Sequence, residues 1–355
     1  MTKFAFLIHP LEAKDMARKY GFLKYLPDRV IERLVLFVSP KIAGRITGIV
    51  SPSGETTEGL LIGVGLTPRQ FLELPKEIVY KKLVRAVEMA KENGAQIVGL
   101  GAFTSVFDDG GITLAKRTGM AITTGNSYTV ATAIEGTLDA CDRVGIDRKA
   151  ATLAVVGATG SIGRACAEVM APEFGRVIVI GRDLVRTEAV AAEIPGAVAS
   201  VEISDLRQAD VVVTVTSSES DLVLPEHLKQ GAIVCDVSRP RDVSVRVAKE
   251  RPDVLVIEGG VIAVPGKMET EFDFGFPQGT AYACMSETFM LAMLNRPESF
   301  TLGKTVSAEQ VREVQEMAHK LGFKLAGYRS FERAVEESQI ERVRAARQAA
   351  VPVGG

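Results

Sequence analysis

The chain has 355 residues, a length that points to two domains. Hydrophobic residues make up 46% and charged residues 24%, so cores can form without disulfides or metals. A formal net charge of −2 excludes the broad basic footprint of a nucleic-acid-binding protein. Residues 1–149 nevertheless carry 20 Lys+Arg against 16 Asp+Glu, and the remainder 22 against 28, a mild asymmetry. Cys141, Cys166, Cys235 and Cys284 are widely spaced, with no CxxC and no Cys/His cluster. That pattern opposes both a zinc site and a disulfide framework and fits a reduced compartment. The N-terminal apolar stretch is too short for a signal peptide, and no run reaches the ~18 apolar residues of a membrane span. A cytoplasmic protein is expected.

In chain order, Lys3–Ile8 reads as a strand, followed by helical stretches at Leu11–Tyr20 and Pro27–Val38. Residues 45–63 look like a hairpin turning at Ser53-Gly54. The apolar spacing of Ile78, Leu83, Val87 and Ala90 predicts a helix over Pro75–Asn93, stopped by Gly94. Strands follow at Gln96–Gly101 and Met120–Thr123, then a helix at Val130–Val144. From Ala151 a regular alternation begins. Strands Ala151–Val156, Arg176–Ile180, Val211–Thr216, Ala232–Val237 and Val254–Glu258 are short and almost wholly apolar, with helices or loops between them. Such strands belong to a parallel sheet covered on both faces. Val264–Gly279 reads as a loop, and helices are expected at Ala281–Leu294, 307–321 and 329–349. The expected fold is therefore α/β: an N-terminal α/β substrate domain (1–149), a Rossmann-type doubly wound parallel sheet (150–262), and a helical C-terminal segment (263–355) packing on the first domain.

The strongest local signal is Leu153–Met170, where an apolar strand runs into Gly157-Ala158-Thr159-Gly160-Ser161-Ile162-Gly163 and then a helix. Gly157 allows the tight turn, Gly160 lets backbone approach a pyrophosphate, and Gly163 lets the helix pack on the sheet. Helix N-terminal amides then meet the phosphate charge. The second strand ends at Gly181-Arg182-Asp183. An arginine there accommodates the 2′-phosphate of NADP, so Arg182 favours NADPH, and Asp183 reads as an N-cap rather than a ribose contact. Thr216 and Ser217, after a later strand, would line the nicotinamide-ribose side.

His9, His227 and His319 have no partners suggesting a triad or a metal, and read as structural or surface residues. Asp108-Asp109-Gly110-Gly111 reads as a loop, and no metal site is expected. Cys284 lies just after a predicted helix start, where amides and dipole favour a thiolate; by spacing alone it reads rather as a small buried hydrophobe on a core helix. Thr104, Ser105, Asn126 and Ser127 follow apolar strands, where they would bond substrate or simply make turns. Lys76, Lys81, Lys82 and Arg85 mark a helix face that is either solvated or a dock for an acidic carrier.

Several segments carry a family resemblance: Leu100-Gly101-Ala102-Phe103-Thr104-Ser105, Thr123-Thr124-Gly125-Asn126-Ser127-Tyr128-Thr129, the glycine loop, and Tyr282-Ala283-Cys284 with Glu287. In these the chain resembles the cyanobacterial-type long-chain acyl-[acyl-carrier-protein] reductases. The resemblance implies an NADPH-dependent reduction of an acyl-carrier-protein or coenzyme A thioester to a fatty aldehyde, with Cys284 carrying the acyl group. A rival is a dehydrogenase of the shikimate or methylenetetrahydrofolate kind, suggested by Cys235-Asp236-Val237-Ser238-Arg239-Pro240, although the lysine-centred site such enzymes need has no matching segment. A third reading, a non-catalytic NADPH-binding protein, gives Cys284 no task.

Overall fold

The computed structural model describes residues 1–10, 25–216, 218, 221–238, 241–258, 260–275, 277–331 and 333–350. The expected helix at Leu11–Tyr20 lies outside them. The chain divides into two compact units, one of residues 1–128, 262–305 and 314–324, the other of 129–261, 306–313 and 325–355.

The first unit is built on a six-stranded sheet in the order Gly266–Thr270, Lys41–Val50, Thr56–Gly63, Lys3–Ile8, Ala95–Leu100, Ala121–Thr123. Its last four strands run parallel, and Lys41–Val50 pairs antiparallel with both Thr56–Gly63 and Gly266–Thr270. Alternation along Lys3–Ile8 separates two cores. Ala5 and Leu7 join Val79, Leu83, Val87 and Ala90 of the helix Lys76–Glu92. On the opposite face Phe4 meets Phe289 of the helix Ala283–Met293, with ring centroids 4.7 Å apart. Small residues make room for that helix. A Cβ on Gly99 would come within 2.2 Å of Thr288 Oγ1 and 2.4 Å of the Phe6 ring. Each buried phenylalanine contributes roughly 1.5–3 kcal/mol, so this face anchors the helix firmly.

The second unit contains six parallel strands in the order Leu255–Ile257, Ile233–Asp236, Val211–Thr214, Thr152–Val156, Arg176–Ile180, Ala197–Ser200. This is the doubly wound Rossmann arrangement, with its topological switch between Thr152–Val156 and Val211–Thr214. The inner strands Thr152–Val156, Arg176–Ile180, Val211–Thr214 and Ile233–Asp236 are buried on both faces, which explains their largely apolar sequences, whereas the edge strand Ala197–Ser200 is only half-buried.

Three expectations are corrected. The Val264–Gly279 stretch is not all loop, because Gly266–Thr270 adds an edge strand to the first sheet. The division between units falls after Tyr128, inside the helix Asn126–Val144, rather than at 149. The segment 263–355 is not one helical appendage on the first domain. Residues 262–305 and 314–324 belong to the first unit and 306–313 and 325–355 to the second. A strand Lys324–Ser330 stands where a helix was expected to begin, followed by the helix Glu337–Ala350.

That last helix is held to the second unit by charge. Arg344 donates to the Arg143 carbonyl at 2.8 Å, and Arg347 to Asp210 at 3.0 Å. Asp210, 5% exposed, also accepts from Lys229 Nζ at 2.7 Å and from the Thr152 amide at 3.0 Å. Burial alone would raise its pKa, but Lys229, the Thr152 amide and Arg347 hold the carboxyl below its ordinary value. A depressed carboxylate stabilises the fold above its unfolded pKa of ~3.9, and that stability is lost as pH falls through the folded value. Asp210→Asn is therefore expected to cost about 2–3 kcal/mol at neutral pH. The difference from the parent should shrink below about pH 4. Denaturant melts at several pH values check this, and an equal cost throughout would refute the carboxylate's role.

Candidate active site

The glycine loop begins where Thr152–Val156 ends. Gly157 has φ +84°, and a Cβ there would lie 2.2 Å from the Val215 carbonyl. A Cβ on Gly163 would meet the Gly157 carbonyl at 2.4 Å, so the helix Ser161–Met170 can approach only because that residue is glycine. Gly160 differs. It is exposed, and an added Cβ would meet only the Gly157 carbonyl, at 3.3 Å. Its missing side chain thus leaves surface open at the N-terminus of a helix that no side chain caps. The cradle fits a dinucleotide pyrophosphate. Ala158 is buried beneath the loop, while Thr159, Ser161 and Ile162 are half-buried along it.

At the tip of Arg176–Ile180, a Cβ on Gly181 would meet Thr187 Oγ1 at 2.4 Å and Thr159 Cγ2 at 2.9 Å. The strand tip therefore closes on the glycine loop. Asp183 accepts from the Arg186 amide at 2.9 Å and caps the helix Leu184–Glu193. Arg182 is exposed and forms no ion pair among the described residues.

The floor under Thr216 is acidic, which sequence reasoning missed. Asp236 and Asp242 are both fully buried. Asp236 accepts from Thr214 Oγ1 and from the amides of Ser238, Asp242 and Val243, each at 3.0 Å. Burial still holds its carboxyl above the usual range. Asp242 accepts from Thr216 Oγ1 at 2.5 Å, from the Thr216 amide at 3.1 Å, and from Ser238 Oγ. Thr216 is thereby turned inward, and its hydroxyl also accepts from the Ser218 amide at 3.0 Å. Ser217 lies outside the described residues.

In the first unit, Cys284 is the second residue of the helix Ala283–Met293, whose N-cap residue Tyr282 makes no side-chain capping bond. It is half-buried, whereas Cys141, Cys166 and Cys235 are buried. Gly125, with φ +72°, packs directly on it: a Cβ there would fall 2.3 Å from Cys284 Cα. One helical turn on, Glu287 is fully buried. Its carboxyl accepts from Thr123 Oγ1 at 2.5 Å, Ser127 Oγ at 2.6 Å and the Tyr128 amide at 3.1 Å. Thr301 Oγ1 in turn donates to Ser127 Oγ at 2.8 Å. Burial holds the Glu287 carboxyl above its ordinary value, and the three donors pull against it.

The expected substrate residues separate into two kinds. Thr104 Oγ1 donates to the Gly101 carbonyl at 2.8 Å and accepts the Gly101 amide at 2.9 Å; Ser105 Oγ donates to the Ala102 carbonyl at 2.7 Å. Ser127 serves Glu287. These three hydroxyls brace backbone or carboxyl. Asn126, half-buried in the first turn of Asn126–Val144, keeps a side-chain amide with no hydrogen-bond partner among the described residues. His9, set aside in the sequence, braces the same region. The Phe103 amide donates to Nε2 at 3.1 Å and Nδ1 lies 2.9 Å from the Pro10 carbonyl. Nε2 must then be unprotonated, and burial lowers the ring's pKa accordingly.

Of the basic helix face, Lys76, Lys81 and Arg85 stay exposed and Lys82 does not. Lys82 turns inward to the carbonyls of Val35 and Val38, at 3.0 and 2.5 Å. Lys76 pairs with Asp108 at 2.5 Å and Arg85 with Glu92 at 2.8 Å. Asp109 accepts from Thr113 Oγ1 at 2.6 Å. Among the described residues no three His, Cys, Asp or Glu side chains gather for a metal ion, and no helix is long and apolar enough to cross a membrane.

Residues 140–258 match the shikimate/quinate 5-dehydrogenase family. Two curated proteins are similar over most of the chain. Aminotransferase PigE of Serratia sp. is 26% identical over 360 residues, 95% of this chain but 41% of that protein. The chain thus spans less than half of that relative's length. The long-chain acyl-[acyl-carrier-protein] reductase of Synechococcus elongatus is 27% identical over 328 residues, covering 88% and 94% of the two chains. Among solved structures, L-tryptophan dehydrogenase from Nostoc punctiforme aligns with 90% of this chain and 80% of its own, at 13% identity and a TM-score of 0.41. By its strand order and glycine loop the second unit is a Rossmann-type domain.

Cys284 is at a helix start, as expected, but it is not a preformed thiolate. Burial pushes the thiol up to about 12; the Met285 amide opposes this and the Glu287 charge adds to it. Alkylation of Cys284 by iodoacetamide, read by peptide mass, should rise about tenfold per pH unit from roughly pH 7 to pH 10. A plateau near neutral pH would show that the thiolate is already formed.

Proposed function

We propose that the protein reduces an acyl thioester to an aldehyde with NADPH, through an acyl group carried on Cys284. The observation that carries this reading is the half-buried Cys284, alone of the four cysteines at a helix N-terminus and seated on the Gly125 backbone. The similarity to an acyl-[acyl-carrier-protein] reductase over most of both chains supports it. So does the aminotransferase name of the other relative, because an aldehyde is the kind of carbonyl that amino transfer consumes.

Cys284 Sγ attacks the thioester carbonyl carbon, a new C–S bond forms, and the departing thiol leaves with the cysteine proton. The amides of the first helical turn face the developing oxyanion, and the Asn126 amide is the side-chain donor available beside Gly125. The Gly157–Gly163 loop would hold NADPH, with Arg182 available to the 2′-phosphate, and the cofactor would supply the hydride for the acyl carbon. The resulting Cys284 thiohemiacetal breaks its C–S bond, releasing aldehyde and restoring the thiol. With no second activating group in the scheme, reduction ends at the aldehyde.

The match of residues 140–258 to shikimate/quinate dehydrogenases keeps one rival, direct hydride transfer without a covalent intermediate. Intact mass after incubation with palmitoyl-coenzyme A and no NADPH separates the two, since only the first gives an acyl adduct. Arg182→Ala should weaken NADPH about tenfold or more while changing NADH little, because only the former has a 2′-phosphate to lose. Equal losses in a fluorescence titration would remove the NADPH assignment. Cys284→Ser should abolish both the adduct and aldehyde formation with NADPH affinity retained, since a serine without a base is a poor nucleophile. Aldehyde production at a comparable rate would overturn covalent catalysis.

A further inference from the structure

Two helix starts meet at Cys284, and their close approach leaves one of them without a cap of its own. The helix Asn126–Val144 begins directly after Gly125. The residue before a helix commonly offers a side-chain oxygen to the unbonded amides of the first turn. Gly125 has none to offer. A Cβ there would fall 2.3 Å from Cys284 Cα and 2.5 Å from the Cys284 carbonyl oxygen, so no capping side chain fits. The acceptor comes from the facing helix instead. Glu287, 159 positions further along the chain, accepts from the Tyr128 amide at 3.1 Å. The same carboxyl accepts from Ser127 Oγ at 2.6 Å and from Thr123 Oγ1 at 2.5 Å. The Asn126 amide donates to Thr124 Oγ1 at 3.4 Å. Gly125 and Asn126 are thus bracketed, held from Thr123 on one side and from Ser127 and Tyr128 on the other.

We infer that Glu287 is a positioning residue for the nucleophile: its hydrogen bonds, rather than its charge, hold the Gly125–Asn126 turn against Cys284. The inference rests on the reductase reading of Cys284 and adds to it the group that sets the shape of the acylation site. Glu287 follows Cys284 by three positions on one helix, so the two share a face and a fixed spacing. Asn126 and the first-turn amides beside Cys284 are the donors invoked for the oxyanion. A misplacement of about 1 Å between such donors and the reacting carbonyl costs roughly a hundredfold in rate. The bonding pattern also shows that a neutral group would serve. Thr123 Oγ1 accepts from the Thr301 amide at 3.2 Å and lies 3.3 Å from the Thr301 carbonyl, a second acceptor for its proton. A side-chain amide at position 287 would donate its NH2 to Thr123, whose hydroxyl then turns to that carbonyl. Its oxygen would keep the bonds from Ser127 and Tyr128. Burial favours the uncharged form of the Glu287 carboxyl in the same sense.

The test compares two rates at Cys284 in the full chain without NADPH. Acylation by palmitoyl-coenzyme A is followed by intact mass, and alkylation by iodoacetamide at about pH 9 by peptide mass. Acylation needs a placed carbonyl, whereas alkylation needs only the sulfur. Glu287→Met keeps a side chain of similar length without acceptors. It should slow acylation roughly twentyfold or more and change alkylation less than about threefold. Glu287→Gln rebuilds the bonds and should recover acylation to within about threefold of the parent. Ser127→Ala removes one donor with the carboxyl in place; it should slow acylation about five- to tenfold, and carries the test if the Met variant does not fold. Equal losses in the Gln and Met variants would make the charge essential and overturn the inference. A Met variant that acylates at the parent rate also overturns it, and leaves the reductase reading intact. A loss of acylation matched by an equal change in alkylation reduces Glu287 to general support of the fold, which is a third refutation. No acyl adduct in the parent removes the reductase reading, and this inference with it.

Discussion

The first unit depends on one buried carboxyl. Glu287 is fully buried on a helix whose residues are nearly all buried, and receives donors from Thr123, Ser127 and the Tyr128 amide. Burying such a group without partners would cost several kcal/mol, so the three bonds are obligatory rather than ornamental. They also fix distance. The Thr123–Tyr128 segment cannot drift from the helix, and Gly125 is therefore pressed against the Cys284 backbone, where even a methyl group would not fit. The placing of the sulfur follows from the carboxyl one turn below it. Thr301, reaching Ser127 and taking the Thr123 side chain, extends the same lattice to the end of the sheet.

The second unit solves a different problem by the same means. Its parallel strands need no side-chain instruction beyond apolar character, and the glycines after Val156 handle the turn and the helix contact. Polar groups near the later strand ends are drawn down onto Asp236 and Asp242, which leaves Thr216 with its hydroxyl and amide already committed. Any dinucleotide contact at Thr216 is therefore made through its carbonyl or its carbon atoms. The start of the loop is held by buried acid.

What could be read from sequence was local. The strand, glycine loop and helix at Leu153–Met170 specify one another over a few residues, and Asp183 is an N-cap because capping needs only the next turn. The inward turn of Lys82 was misread as part of a solvated or docking face, although the residue shares the 79, 83, 86, 90 face with the apolar residues of its helix. Long-range relations were not legible. Nothing near Glu287 announces partners more than 150 residues earlier, and nothing near Thr104 says whether its hydroxyl serves a ligand or the Gly101 turn. The strand Gly266–Thr270 was missed because an edge strand is defined by its neighbour, here Lys41–Val50, and not by its own alternation.

The high pKa of the Cys284 thiol bears on the proposed chemistry in both directions. At neutral pH a thiol near 12 is ionised to roughly one part in 10⁵, so attack must accompany proton transfer to the departing sulfur. Glu287 does not serve as that base, because its oxygens are held by Thr123, Ser127 and the Tyr128 amide. The same environment makes Cys284 a reluctant leaving group, since leaving slows as thiol pKa rises. An acyl group on Cys284 is then poorly expelled by a stray water molecule. Hydride addition meets the same barrier, because the thiohemiacetal must also expel the Cys284 sulfur. Selectivity for reduction over hydrolysis would therefore come from keeping water away from the half-buried sulfur rather than from the pKa of its thiol.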